Sequence, residues 1–174
     1  MLKKSQLEKL HTQGFVVIKA KDTTVLKKLK KEIINSLKKD FKERDIINNY
    51  HKKYNDKKNY ILQSKTQKFI KKNNLHFEII QKNKSIFASI LGNDICATKH
   101  VNFRVVRPSI AYDNINFHRD TDLGHTPYEL NVWTPLFNTN KNNTLCILPK
   151  SHLKKLTYFK SKKINKKFRK GSFH

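Results

Sequence analysis

Residues 95–105, Ile-Cys-Ala-Thr-Lys-His-Val-Asn-Phe-Arg-Val, mark the point where the hydrophobic pattern of the chain changes its period. Within this stretch, Val101, Phe103 and Val105 alternate with polar residues. Such alternation is typical of a strand with one apolar and one polar face, and Pro108 would end it. The polar face either lines a cavity or is simply wet.

The chain before this stretch is helical in pattern, whereas the chain after it favours short strands. Between residues 22 and 92, apolar residues recur every three or four positions, as on one face of a helix. Strands are predicted near 110–117, 130–137 and 144–148. Helices followed by strands predict an α+β fold, with a helical part over about 1–92 packed on a β-sandwich or jelly roll over about 93–152. Four or five strands are fewer than the eight or so of a jelly roll, so we expect an incomplete β core.

His118 and Asp120 form the most informative short motif, because they lie two residues apart at the end of a predicted strand. In an extended chain, residues i and i+2 point to the same face, so an imidazole and a carboxylate converge there. Two histidines and one carboxylate form the facial triad that holds non-haem Fe(II) with open positions. The motif therefore predicts two of the three metal ligands. The alternative is a surface histidine and aspartate with no metal.

Four ordered segments of the chain carry a resemblance to a known family. They are the helix that runs into Gly14–Val17, the motif 118–120, the segment Val132–Thr134 and the turn Leu148–His152. Together they resemble the phytanoyl-CoA dioxygenase-like family of Fe(II)/2-oxoglutarate-dependent oxygenases, over residues 5 to about 152. The family's turn usually reads Pro-Gly-Ser-His, and Lys150 stands here in place of the glycine.

The resemblance implies a fold, a chemistry and site residues. The fold would be a double-stranded β-helix of the jelly-roll or cupin-like type, in one oxygenase-like domain over 1–152 followed by a basic tail or loop over 153–174. Fe(II) would be the metal and 2-oxoglutarate the co-substrate of an oxidoreductase that hydroxylates an unknown small metabolite. His118 and Asp120 would be iron ligands, and Trp133 would stand beside the co-substrate unless it is a plain core aromatic. Arg104 is a natural partner for a 2-oxoglutarate carboxylate.

The third iron ligand has no obvious match in the sequence. His125 is close to Asp120 across a turn, His152 matches the histidine of the family's turn, which is not a ligand there, and His174 is the last residue. All three are candidates. Because the distal histidine expected from the family is missing, the chain resembles the front part of an oxygenase, such as a fragment, a split gene or an inactive remnant. We therefore expect the 174-residue chain on its own to lack activity.

The composition is strongly basic, with 38 Lys and Arg against 13 Asp and Glu and a net charge of +25. Such a charge predicts affinity for an anionic partner, either nucleic acid or a membrane surface. Nearly all basic residues are lysine, however, and Asn and Ile are abundant, as AT-rich codon usage favours. A dedicated nucleic-acid protein more often uses arginine for bidentate contacts. We therefore expect nucleic-acid binding to be absent or non-specific, and the second alternative to an oxygenase, after an inactive remnant, is a basic protein that binds nucleic acid or a membrane surface.

The remaining expectations concern compartment and partners. Cys96 and Cys146 lie in apolar patterns and are predicted to be small buried residues. No signal peptide and no apolar stretch of membrane-spanning length are visible, so a cytoplasmic location is the simplest interpretation. We expect a small-molecule substrate and, if the β core is incomplete, self-association through an open sheet edge and poor solubility without turnover of 2-oxoglutarate.

Overall fold

The structure is a computed structural model that describes residues 1–115 and 117–154, apart from the side chain of Glu43. Six α-helices occupy its first half, and short 3₁₀ turns lie at Glu43–Asp45, Ala111–Asp113, Asp120–Leu123 and Ser151–Leu153. The helices are α1 (Lys4–Gln13), α2 (Thr24–Leu37), α3 (Ile46–Lys53), α4 (Asp56–Lys72), α5 (Leu75–Lys82) and α6 (Lys84–Leu91).

Local sequence explains where the first two helices begin and end. The Lys3 N–H donates to Gln6 Oε1 over 2.9 Å, which satisfies one amide at the start of α1. Gly14 ends α1 in the left-handed conformation, with φ of 84°, and its N–H donates to Leu10 O over 2.9 Å. At the start of α2, Asp22 Oδ1 accepts the N–H of Thr24 over 2.7 Å.

The hydrophobic core lies among the helices. The apolar face of α2 supplies a buried residue at nearly every turn, as its periodicity predicts. Partly buried Val101, Phe103 and Val105 pack against this core from the later half of the chain, and so do Leu136 and Phe137. The buried members are Val25, Leu29, Ile33, Ile34, Leu37, Phe41, Ile46, Tyr50, Tyr54, Leu62, Ile70 and Leu75.

The predicted α+β fold with an incomplete double-stranded β-helix or jelly-roll core is wrong for the described residues. About half of them are helical and none is in a strand or sheet. The segments with strand-like patterns are present, but no ladder of backbone hydrogen bonds joins them to one another within residues 1–115 and 117–154. Strand patterning alone does not make a sheet, because a strand exists only through pairing with a neighbour.

Side chains of α4 take the place of a neighbouring strand along residues 103–105. Asn59 Nδ2 donates to Val105 O and Gln67 Nε2 donates to Phe103 O, each over 3.4 Å. Gln63 Oε1 accepts the N–H of Val105 over 3.3 Å. Because the three amide side chains are four residues apart, they form a row along one face of α4. The segment is therefore held by a helix through side-chain amides.

Arg107, which follows residues 103–105, binds the start of α4. Its side chain is only 3% exposed and contacts both Asp113 and Asp56, at 2.7 Å and 2.9 Å. Its Nη1 also donates to Tyr54 O over 3.0 Å. Hydrogen bonds from Tyr112 and Arg107 hold the pKa of Asp56 below its ordinary value. A buried guanidinium with two carboxylates and a carbonyl has its donors satisfied, which is what its burial requires.

Much apolar surface remains uncovered where the β core was expected. Side chains such as Phe117, Tyr128, Val132, Leu145 and Ile147 are exposed. Cys96 and Cys146 are exposed as well, so the prediction that they are buried is wrong. The reason is the same in each case, because no sheet covers these segments in the described residues. No helix among the described residues is both long enough and apolar enough to cross a membrane.

Candidate functional site

His118 and Asp120 lie side by side at the start of a 3₁₀ turn. Arg119 between them has extended backbone, with φ of −105° and ψ of 142°, so its two neighbours point the same way. His118 Nε2 is 3.3 Å from Asp120 Oδ1, and the two side chains are 31% and 41% exposed. An imidazole nitrogen and a carboxylate oxygen are thus adjacent and accessible to a small solute.

The second oxygen of Asp120 has a partner of its own. Asn131 Nδ2 donates a hydrogen bond to Asp120 Oδ2. Asn131 belongs to the segment over 130–137 and lies eleven residues beyond Asp120. The carboxylate therefore faces His118 with one oxygen and Asn131 with the other.

Arg119 points away from the pair and binds a different part of the chain. Its Nη2 donates to the carbonyl oxygens of Ser151 and Lys154, at the turn that follows Pro149. Since neighbouring side chains in extended backbone point to opposite faces, the arginine reaches this turn while His118 and Asp120 face the other way.

The same turn is docked on the end of α1. The Lys150 N–H donates to Gln13 O, and the His152 ring bonds through Nε2 to His11 O, both over 2.9 Å. Gly14 makes room for the imidazole, because a Cβ there would come within 2.5 Å of His152 Nδ1. Three of the four segments with family resemblance therefore meet, and Arg119 and His152 hold them together.

The candidate third ligands are not assembled with the pair in the described residues. His125 Nδ1 is 2.7 Å from Glu129 Oε2, and His152 is engaged with α1. His174 lies outside the described residues. Within the described residues, no group of three His, Cys, Asp or Glu side chains could hold a metal ion.

The two expected co-substrate residues occupy different surroundings. The guanidinium of Arg104 donates to Asp113 O over 3.2 Å, in the loop that also receives Arg107. Trp133 is half-exposed and follows Asn131 by two residues. Trp133 is thus not a plain core aromatic.

Sequence reasoning missed three of the residues that build this region. Arg119 could have been found from its place between His118 and Asp120, since alternation points it to the opposite side. Arg107 continues the inward alternation of the segment before it, and a charged residue in such a position signals a buried ion pair. Asn131 carries no signal of its own, because its contact with Asp120 depends on the tertiary arrangement.

The donor types of the pair fit a divalent transition metal. A neutral imidazole nitrogen and a carboxylate oxygen are two of the three ligands in the facial-triad arrangement for Fe(II). Their 3.3 Å separation allows both to reach one ion after a small adjustment. The described residues thus offer two protein donors.

Comparisons with known proteins give the family. The model of the phytanoyl-CoA dioxygenase family (PhyH) matches residues 10–170. The streptomycin biosynthesis protein StrG of Streptomyces griseus is 38% identical over 68 residues, which are 37% of this chain and 33% of that protein. The match thus spans about a third of that relative's length. No solved structure matches significantly. Because the family match covers most of its length, the chain belongs to the phytanoyl-CoA dioxygenase family.

Proposed function

We propose that the protein is an Fe(II)- and 2-oxoglutarate-dependent dioxygenase that hydroxylates a small metabolite, with His118 and Asp120 as iron ligands. The observation that carries the proposal is the 3.3 Å approach of His118 Nε2 to Asp120 Oδ1 in a chain of this family. Dependence on Fe(II) and 2-oxoglutarate is a property of the family, and membership of that family supports the proposal for this chain.

The roles of the two ligands follow from their chemistry. His118 would bind the metal through a ring nitrogen, as imidazole ligands do. Asp120 supplies negative charge that offsets part of the charge of a divalent ion. Both side chains are partly exposed, so a co-substrate and a substrate have access to the same side. Fe(II) bound here would supply the oxidative decarboxylation of 2-oxoglutarate and the hydroxylation of a C–H bond.

Arg104 and Trp133 are proposed for the co-substrate. A guanidinium pairs well with a carboxylate, and the exposed Arg104 side chain already binds a carbonyl oxygen that a stronger acceptor would displace. The half-exposed Trp133 offers an aromatic face on the segment that also carries Asn131. Alanine substitution of either residue is expected to weaken 2-oxoglutarate binding more than metal binding.

The third protein donor is proposed to be one of three histidines. His125 is the nearest in sequence and its side chain is half-exposed, whereas His152 would have to leave α1. His174 is the remaining candidate. Metal affinity measured for His125→Ala, His152→Ala and His174→Ala separately would identify the donor, since only the true ligand should lower affinity as much as His118→Ala does.

The test of the proposed activity is succinate formation. Purified protein is incubated with Fe(II), ascorbate and 2-oxoglutarate. His118→Ala is the variant expected to be inactive, and His51→Ala is a control substitution of a histidine away from the site. Because His51 is exposed on α3, its loss should leave turnover unchanged. The proposal expects succinate that depends on His118. Metal binding without succinate would instead support the alternative of an inactive family member.

A further inference from the structure

We propose that Asn131 is a positioning residue that orients the Asp120 carboxylate for metal binding. The inference rests on the proposed function, since it concerns how one of the two proposed iron ligands is held. Asn131 Nδ2 donates to Asp120 Oδ2, while Asp120 Oδ1 lies 3.3 Å from His118 Nε2. One carboxylate oxygen therefore accepts the hydrogen bond of Asn131, and the other faces His118.

The amide hydrogen bond fixes the rotation of the carboxylate. Without a second partner, the Asp120 carboxylate is free to turn about its terminal torsion, which has a broad energy profile. A donor on Oδ2 selects the rotation in which Oδ1 faces His118. Because an amide N–H cannot coordinate a cation, Asn131 leaves Oδ1 as the oxygen offered to the metal.

The segment that carries Asn131 is anchored independently of the His118–Asp120 loop. Leu136 and Phe137 pack against the helical core, and Lys30 Nζ of α2 lies 4.9 Å from the centre of the Phe137 ring. The donor is thus attached to the helices through its own segment. Partners of this kind, which hold a metal ligand without touching the metal, tune affinity in metal sites generally.

The orientation also favours coordination through one carboxylate oxygen. A hydrogen bond donated to one carboxylate oxygen competes with a metal for that oxygen and so favours coordination through the other one. With Oδ2 held by Asn131, Asp120 would bind a metal through Oδ1 alone. Binding through one oxygen would leave more positions for a co-substrate and oxygen, as facial-triad chemistry requires.

The experiment measures Mn(II) affinity by electron paramagnetic resonance, since Mn(II) takes nitrogen and oxygen donors. Asn131→Ala is expected to lower the affinity of the full chain by about 10- to 100-fold. Asn131→Leu keeps the side-chain size, removes the amide and should give the same loss. Asn142→Ala is the matched control, because Asn142 is an exposed asparagine in a polar turn. Urea midpoints show whether each variant is folded, and the exposed Asn131 should change them little.

A double variant shows whether Asn131 acts through Asp120. Asn131→Ala should have no further effect on the residual Mn(II) affinity of Asp120→Ala, because its partner is already gone. An equal loss in both backgrounds would overturn the inference, as would unchanged affinity in the folded single variants. Absence of saturable Mn(II) binding by the unsubstituted protein would overturn the proposed function and this inference together. Unchanged affinity in Asn131→Ala leaves the proposed function standing.

Discussion

Lys150 occupies a backbone conformation that suits glycine. Its φ of 63° lies in the left-handed region. Lys150 stands where the Pro-Gly-Ser-His turn of the family usually has glycine. A side chain in that region costs about 1–2 kcal/mol. The conformation is retained because the Lys150 N–H reaches Gln13 O and the turn after it is held by Arg119 and His152. Tertiary contacts therefore impose the glycine-type turn on a lysine.

Lys150→Gly should stabilise the protein by about 1 kcal/mol, because it removes the steric cost while the turn keeps its hydrogen bonds. The measurement is the free energy of unfolding in urea. Lys141→Gly is the control, since Lys141 is exposed in a turn and does not have positive φ. The control substitution should destabilise by roughly 0.5–1 kcal/mol through the entropy of the unfolded chain. A destabilising Lys150→Gly would show that the turn does not have this conformation.

Local rules predicted the adjacency of His118 and Asp120 but not what surrounds them. Two residues apart in extended chain share a face, which needs no knowledge of the fold. The contact of Asn131 with Asp120 and that of Arg119 with residues 151 and 154 join segments distant in sequence. No periodicity encodes such contacts, so they were missed.

At the scale of elements, the helices depend on local contacts, whereas the predicted strands depend on contacts between distant segments. The helix that runs into Gly14 and the buried apolar face of α2 were predicted correctly, because helical hydrogen bonds are local. The apolar side of residues 101–105 also packs inward as its alternation predicts. The sheet was wrong because pairing is non-local, and α4 amides bind this segment instead.

Removing Arg107 should weaken the attachment of residues 103–107 to α4. In Arg107→Met, the nearly buried Asp113 carboxylate loses its cation, and the expected cost is roughly 3–5 kcal/mol of unfolding free energy. Arg44→Ala is the control, since the Arg44–Asp45 pair is exposed and 4.0 Å apart, and its loss should be close to neutral. Urea denaturation measures both. A cost for Arg107→Met as small as that of the control would contradict the buried cluster.

Tyr50 of α3 and Tyr54, which follows the helix and stacks on Tyr50, predict a loss of stability in alkali. Burial, with a hydrogen bond to Asp40, raises the pKa of Tyr54 to about 12, and burial also raises the pKa of Tyr50. An unfolded tyrosine has a pKa of about 10. The unfolded chain therefore releases these protons first, and stability that is present below about pH 10 is lost as the pH rises towards 12.

Urea midpoints between pH 8 and about 12 measure this loss. Tyr54→Phe removes one of the two hydroxyls with a raised pKa, so the urea midpoint should fall less steeply with pH. Tyr60→Phe, at an exposed position, should leave that slope unchanged. Equal pH dependence in the two variants would contradict the assigned cause.

At the scale of the whole molecule, the positive charge is distributed over several helices. Lys27, Lys30 and Lys31 of α2 and Lys38 just after it line one surface, and α4 carries a further set of lysines. Such a distribution favours weak attraction to any polyanion over a shaped site for one. The exposed apolar segments add a second surface property, and the expected self-association of the chain stays a prediction.

Binding to DNA or RNA should accordingly be non-specific and fall steeply with salt. Fluorescence anisotropy with two unrelated oligonucleotides, at low and physiological salt, measures it. Reversal of three charges on α2 (Lys27, Lys30 and Lys31 to Glu) should weaken binding about as much as reversal of Lys57, Lys65 and Lys68 on α4. Binding that prefers one oligonucleotide and survives physiological salt would promote the basic-surface alternative.

The central claim is that His118 and Asp120 hold Fe(II), and anaerobic calorimetric titration with Fe(II) tests it most directly. The account predicts saturable binding of one Fe(II) per chain, with affinity at least about tenfold lower in His118→Ala and in Asp120→Ala. His51→Ala should bind as the unsubstituted protein does. Equal affinity in His118→Ala and the unsubstituted protein, or no saturable binding by the latter, would contradict the account.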